Sequence, residues 1–355
     1  MQQEDDNAEA TTSVIMYNER EIKEDSKWSS YDSSSYVKKE GYNLWIDVTT
    51  SATTSSGSDL ERLQRSFFLD EEAIKAVETG IKKPQARILQ EHIFAIFLNL
   101  GYKNIRDLDT NAIYFFLGRG WLITIHDKET DLVDMGKKAF LKKNRRILES
   151  SIDALFYSLL SSLVEKYEQL VTAVEIKVLE SEKQSQYRPT KKTLQMLDVL
   201  SKQAIILRRH FWYARNTINF LSYAEKDNED VKYLKMVYDE ITQLIEMIES
   251  YRDTINSTRE VFAGSISLRM SDSMRILTVF SVVLLPLSFI TGIFSMSGFS
   301  LENVSYIPGG FAVVAGILVA MAAISLFIFW KMGWIFAREG HSVEEMLDPN
   351  EKRKT

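Results

Sequence analysis

Residues 276–301 read ILTVFSVVLLPLSFITGIFSMSGFSL and residues 303–330 read NVSYIPGGFAVVAGILVAMAAISLFIFW. Neither stretch contains Asp, Glu, Lys or Arg, and Glu302 alone separates them. A helix needs about 20 predominantly apolar residues to cross the hydrocarbon core of a bilayer. Two C-terminal transmembrane helices are therefore expected over 276–330, against the competing reading of a buried helical hairpin in a soluble core. Arg269 and Arg275 precede the first stretch, and Lys331, Arg338, Lys352, Arg353 and Lys354 follow the second, while the intervening loop has no Lys or Arg. The positive-inside rule then puts both termini in the cytoplasm and a short loop, Ser295 to Gly310, outside the cell membrane.

Working outward, the rest of the 355-residue chain has ordinary composition, with 43 Lys plus Arg against 49 Asp plus Glu and a net charge of -6. The absence of cysteine excludes a disulfide scaffold, thiolate catalysis and cysteine-based zinc sites. Acidic, Ser-rich residues 1–40 carry too little apolar surface to repay ordering and read as a disordered tail. Nothing there resembles a secretory or Arg-rich organellar leader.

Residues 41–150 read as a cytoplasmic α/β domain. Leu44 to Val48 reads as a strand, a short helix opens at Ser58 and Asp59, and Asp70 can cap a second helix that Gly80 stops. Ile93 to Leu98 reads as another strand, and Ala112 to Leu117 pairs with Trp121 to Ile125 across the turn Gly118-Arg119-Gly120. Residues 151–275 change to long helices. Leu155, Leu159, Leu163, Tyr167, Leu170, Val174 and Val178 recur at steps of three or four, as one buried helix face requires. A second helix is expected from Thr190 to Tyr223. A third starts near Asn228 and meets no proline before Pro286, so it is expected to be more than 60 residues, or ~90 Å, long. The fold class is α+β: an α/β domain, long stalk helices, the two spans and a basic tail over 331–355.

At about 100° per residue, with Ser281 as origin, Met274, Leu277, Leu284, Leu285, Ser288, Gly292 and Ser295 fall within about 60° of one line. Phe280, Val282, Val283, Phe289, Ile290 and Ile293 lie elsewhere. Small and hydroxyl residues on one helix face fit either packing between membrane helices or a wet axis. Stepping back by sevens from Ser281 gives Met274, Ser267, Glu260, Asp253, Glu246 and Asp239. One register thus carries four carboxylates toward the hydroxyl and thioether groups of the span, as a cation path or as an ordinary solvated face. Ile241, Leu244, Ile245, Ile248, Ile255, Phe262 and Ile266 occupy the opposite face and are expected to pack. Two spans cannot enclose a pore, so a pore requires several copies.

Other features carry less. Lys137, Lys138, Lys142, Lys143, Arg145 and Arg146 form a basic run read as a solvated helix face, and no nucleic-acid partner is expected. Glu302 is the single charge of the outer loop, able to attract cations if repeated around an axis. His92, His126, His210 and His341 show no metal-site spacing. No phosphate loop, dinucleotide turn or Ser/His/Asp motif suggests an enzyme, and no bound cofactor is expected.

Leu277-Thr278 followed by Leu285-Pro286-Leu287-Ser288-Phe289-Ile290-Thr291-Gly292-Ile293-Phe294 resembles the first-span motif of the CorA family of divalent-metal transporters. Tyr251-Arg252-Asp253, Leu122 to His126 and Trp45 to Val48 extend the resemblance over roughly residues 42–335. It implies a homopentameric funnel in the lipid bilayer, with Met274, Leu277, Leu285, Ser288 and Gly292 on the conduction path. Where magnesium-carrying members have Gly-Met-Asn at the outer mouth, this chain has Ser295-Met296-Ser297 followed by Gly298. A serine hydroxyl is shorter than an asparagine amide and a weaker acceptor. ZntB-like zinc transporters also depart from that tripeptide, so the resemblance implies magnesium, or zinc, cobalt or nickel, as cargo or regulatory ion. At the position of a regulatory stalk aspartate the chain has Met236, which a hard ion would not choose. Asp239, Glu240 and Glu246 are the nearest replacements. The competing expectation is a membrane-anchored sensor or scaffold that kept the funnel and lost conduction.

Overall fold

The computed structural model describes residues 11–18, 22–25, 42–50, 57–104, 107–127, 130, 133, 136, 151–187, 189–224, 228–294 and 310–332. By internal contacts the chain falls into two units, Met1–Val261 and Phe262–Thr355.

The first unit is built on seven strands: β1 (Thr11–Tyr17), β2 (Ile22–Asp25), β3 (Asn43–Thr50), β4 (Gln85–Ile88), β5 (His92–Asn104), β6 (Asp107–Gly118) and β7 (Trp121–Asp127). They form one sheet in the order β2-β1-β3-β7-β6-β5-β4, antiparallel except for the parallel pair β3–β7. Two short helices, α1 (Gly57–Phe67) and α2 (Glu71–Glu78), occupy the crossover that a parallel pair demands. Asp70 caps α2, its Oδ2 accepting the Ala73 amide at 3.1 Å, and Gly80 beyond the helix end has φ +64.

Two expectations are corrected. The stretch read as disordered tail contributes β1 and β2, because Val14, Ile15 and Tyr17 are fully buried against β3. Three large side chains and a paired strand edge repay the ordering that average composition argued against. The hairpin turn holds two residues, Arg119 and Gly120, since Gly118 and Trp121 are themselves paired. Gly120 takes φ +79, where a side chain would be strained.

One polar network crosses the parallel pair inside the sheet. Trp45 Nε1 donates to Thr124 Oγ1 at 3.1 Å, and Thr124 Oγ1 donates to Asp47 Oδ1 at 2.5 Å. His126 Nε2 lies 3.2 Å from the same Oδ1, while His126 Nδ1 is 2.8 Å from the Asp127 carbonyl, which can only accept. Nδ1 therefore carries a hydrogen.

Helices α3 (Ile152–Tyr187) and α4 (Lys191–Ala224) join the sheet. All seven periodic positions from Leu155 to Val178 are buried. Phe156 meets Phe115 edge-on at 5.3 Å, and the Tyr167 hydroxyl donates to the Leu98 carbonyl at 2.6 Å. α5 (Asn228–Phe294) is a single 67-residue helix with Pro286 inside it, and α6 (Gly310–Lys331) follows.

Candidate ion pathway

The cytoplasmic part of α5 is amphipathic, and the structure resolves its two faces. Ile241, Leu244, Ile245, Ile248 and Ile255 are buried, as is Phe262. Burial on that face stops at Phe262: Ile266, expected to pack, is exposed, because the apolar period outruns the neighbours the chain itself supplies. Two ion pairs fasten α5 to α4, Arg208–Glu249 at 2.6 Å and Arg259–Asp198 at 2.7 Å. Tyr251 of the Tyr-Arg-Asp triplet hydrogen-bonds Glu175 on α3, and burial with that carboxylate pushes its hydroxyl up to about 12. Tyr251 thus stays protonated and donates.

The other face is left open. Asp239, Glu246, Asp253 and Glu260 are all exposed, and none has an ion-pair partner among the described residues. Successive members of this ladder stand about 10.5 Å apart along the helix, so no two share one ion within a chain. Consistent with this, no three His, Asp or Glu groups gather to hold a metal among the described residues. Met236 is exposed as well.

Farther along α5, Met274, Leu277, Ser281, Leu284, Leu285, Ser288 and Gly292 are exposed without exception. So are Phe280, Val282 and Phe289 on other sides, which is expected where a single chain is seen without lipid or further copies. The hydroxyls satisfy themselves on their own helix: Ser281 Oγ donates to the Leu277 carbonyl at 2.9 Å, Thr278 to Met274 at 2.8 Å and Thr291 to Leu287 at 3.0 Å. Such back-bonding lets a hydroxyl live in an apolar span while keeping its lone pairs available. Among the described residues one helix, lying within Lys232–Ile293, is long and apolar enough to cross a membrane. The apolar stretch Ala315–Lys331 of α6 is shorter. Ser295, Met296, Ser297, Gly298 and Glu302, the expected outer filter, lie outside the described residues, as do the basic run 137–146 and most of the tail 331–355.

A feature the sequence did not reveal is a cleft of about 270 Å³ between α3 and α5, lined by Glu165, Glu168, Glu240 and Gln243 among others. Burial, and then the neighbouring Glu168 carboxylate, hold the Glu240 carboxyl above the usual glutamate range. The Glu165/Glu168 spacing is visible in the sequence, but the pairing of α3 with α5 that brings Glu240 to it is not.

With this geometry in place, similarity to known proteins can be weighed. Residues 40–334 match the family described as CorA-like Mg2+ transporter protein. The chain is 26 % identical over 304 residues to the cobalt/magnesium transport protein CorA of Thermotoga maritima, covering 82 % of this chain and 83 % of that one. It is 25 % identical over 307 residues to the protein of the same name from Methanocaldococcus jannaschii, covering 84 % and 94 % respectively. Its fold is similar to the complete structure of the CorA magnesium transporter from Methanocaldococcus jannaschii, with a TM-score of 0.72 at 20 % identity over 91 % of this chain and 98 % of that one. A family match over this span, carried on the same order of strands and helices, places the chain in the CorA-like Mg2+ transporter family.

Proposed function

We propose that this chain transports divalent cations across the cell membrane along an axis lined by α5 from several copies, five by family resemblance. In this reading two C-terminal spans cross the bilayer, both termini are cytoplasmic, and Met274, Leu277, Ser281, Leu284, Leu285, Ser288 and Gly292 face the axis. Asp239, Glu246, Asp253 and Glu260 form successive acidic rings below the membrane. Ser295, Met296, Ser297, Gly298 and Glu302 form the outer mouth. The observation that carries the reading is the two-faced character of α5: its apolar face is covered through Phe262, whereas every member of the acidic and hydroxyl register is uncovered.

Chemically, each ring offers carboxylate oxygens that attract and concentrate cations, and the hydroxyl positions offer oxygens to an ion keeping part of its water. Magnesium sheds water reluctantly and suits such a path; zinc, cobalt and nickel are the other cargo candidates. Ser297, where magnesium carriers have asparagine, favours a second reading, a non-conducting sensor or scaffold on the same fold.

Reconstituted protein decides between them. Dye-reported influx of magnesium, zinc, cobalt and nickel into liposomes is measured with and without a proton gradient, alongside the mass of the assembly. Selective influx is expected. No influx of any of the four from an intact pentamer would overturn transport, and Ser297→Asn would then restore magnesium influx only if the remaining path is open.

A further inference from the structure

His92 is the first residue of β5, opposite Gly118 at the end of β6. Its side chain sits in an aromatic corner, with ring centroids 5.8 Å from Phe116 and 6.0 Å from Trp121, and Trp121 is 4.9 Å from Phe67 at the end of α1. The residue is 5 % exposed, and neither Nδ1 nor Nε2 has a hydrogen-bond partner among the described residues. A buried imidazole with two idle nitrogens is unusual, since each forgoes hydration without compensation. The neutral ring bears this cost, but an imidazolium would have to bring a second N–H and a full charge into the same corner.

The charged groups that face it are Asp70, at the start of α2, and Glu91, just before β5. Asp70 already accepts the Ala73 amide, and Glu91 is exposed. Burial outweighs their attraction, so the ring is held below the usual histidine range. The lid of the corner is itself under strain. Phe68 connects α1 to α2 with φ +52 and is 81 % exposed, while its neighbours Phe67 and Leu69 are buried. A bulky residue in the left-handed region persists only while its surroundings hold it.

We propose that this corner, where α1 and α2 close over the turn ends of β5, β6 and β7, is a latch that acid opens, with His92 as its trigger. Above the ordinary histidine value the ring is neutral in both forms and the latch has its full stability. As pH falls, the opened ring takes up a proton that the closed one refuses, and the closed form loses ground. With an ordinary open-form value of about 6.5, going from pH 7.5 to pH 5.5 raises the opening constant about tenfold.

Hydrogen exchange on the full-length protein in detergent tests this. After correction for intrinsic exchange, amides in 64–72 and 92–98 are expected to open about tenfold more at pH 5.5 than at pH 7.5, while 155–175 in α3 changes less than twofold. In His92→Phe, whose ring fits the aromatic corner, the difference is expected to vanish. An unchanged pH response in His92→Phe would overturn the proposal. Exchange at the histidine C2 position in the wild-type protein reads the titration of His92 without any variant. A midpoint at or above the ordinary histidine value would overturn it equally.

Discussion

Gly292→Leu puts the axial assignment under direct strain. A Cβ added at Gly292 meets no atom within 4 Å, so leucine fits the chain without a clash. Leucine is also the better helix former by about 0.8 kcal/mol, so α5 itself is not weakened. Any loss of transport then arises from what the side chain meets in the assembly. If Gly292 faces the axis, every copy adds an isobutyl group where a hydrated ion must pass. At about 1.4 kcal/mol of barrier per tenfold in rate, a rise of about 3 kcal/mol lowers flux more than a hundredfold. Val282→Leu is the control: it enlarges an exposed side chain about 100° away on the same helix and is expected to leave flux within twofold. Ion influx into proteoliposomes is read for both, with the assembly size checked by native mass spectrometry. An intact assembly of Gly292→Leu with flux within twofold of wild type would refute the axial assignment. Equal block by both variants would trace the effect to helix packing instead.

Two further perturbations probe the cytoplasmic unit. Thr124→Val removes both the acceptor for Trp45 Nε1 and a donor to the buried Asp47 carboxylate, and is expected to cost about 3 kcal/mol in denaturant unfolding; a cost under 0.5 kcal/mol would mean that the network does not depend on the hydroxyl. Because Glu240 is held above its usual range, the fold disfavours its ionised form, so stability contributed by this site falls as pH rises through the raised value. Glu240→Gln is accordingly expected to raise the unfolding temperature at pH 7.5 and to flatten its pH dependence below 7; a lowered unfolding temperature would show the carboxylate to be favourable where it sits.

The periodic signals survived translation into structure. The i, i+3, i+4 pattern from Leu155 to Val178 became the buried face of α3, and the proline-free run from Asn228 became one helix, since each depends on local geometry that sequence states directly. The capping of α2 by Asp70 was legible for the same reason. β1 was missed because Val14, Ile15 and Tyr17 stabilise only through β3, reached across a stretch of chain whose composition argues for disorder. β4 was missed because only four residues pair, too few for alternation to register. In the candidate pathway, the register on α5 could be counted from the sequence, whereas its exposure depended on which face α3 and α4 cover. The Glu240 cleft required the tertiary pairing of two helices, and no spacing within either encodes it.

The parallel pairing of β3 with β7 sets a timetable. β3 gains β1 on one side from chain already made, but Trp45 and Thr124 are 79 residues apart, and the opposite edge of β3 has no partner until Trp121–Asp127 is synthesised. At about 5–20 residues per second, the roughly 70 residues after Thr50 keep that edge open for roughly 4–14 s on every ribosome. Through that interval an apolar strand, Leu44 to Val48, offers an unfilled row of amides and carbonyls to neighbouring nascent chains. The apolar stretches at 276–330 are translated well after this window has closed, so the soluble sheet and the membrane segments hazard aggregation at different times, and a chaperone could attend to them in turn.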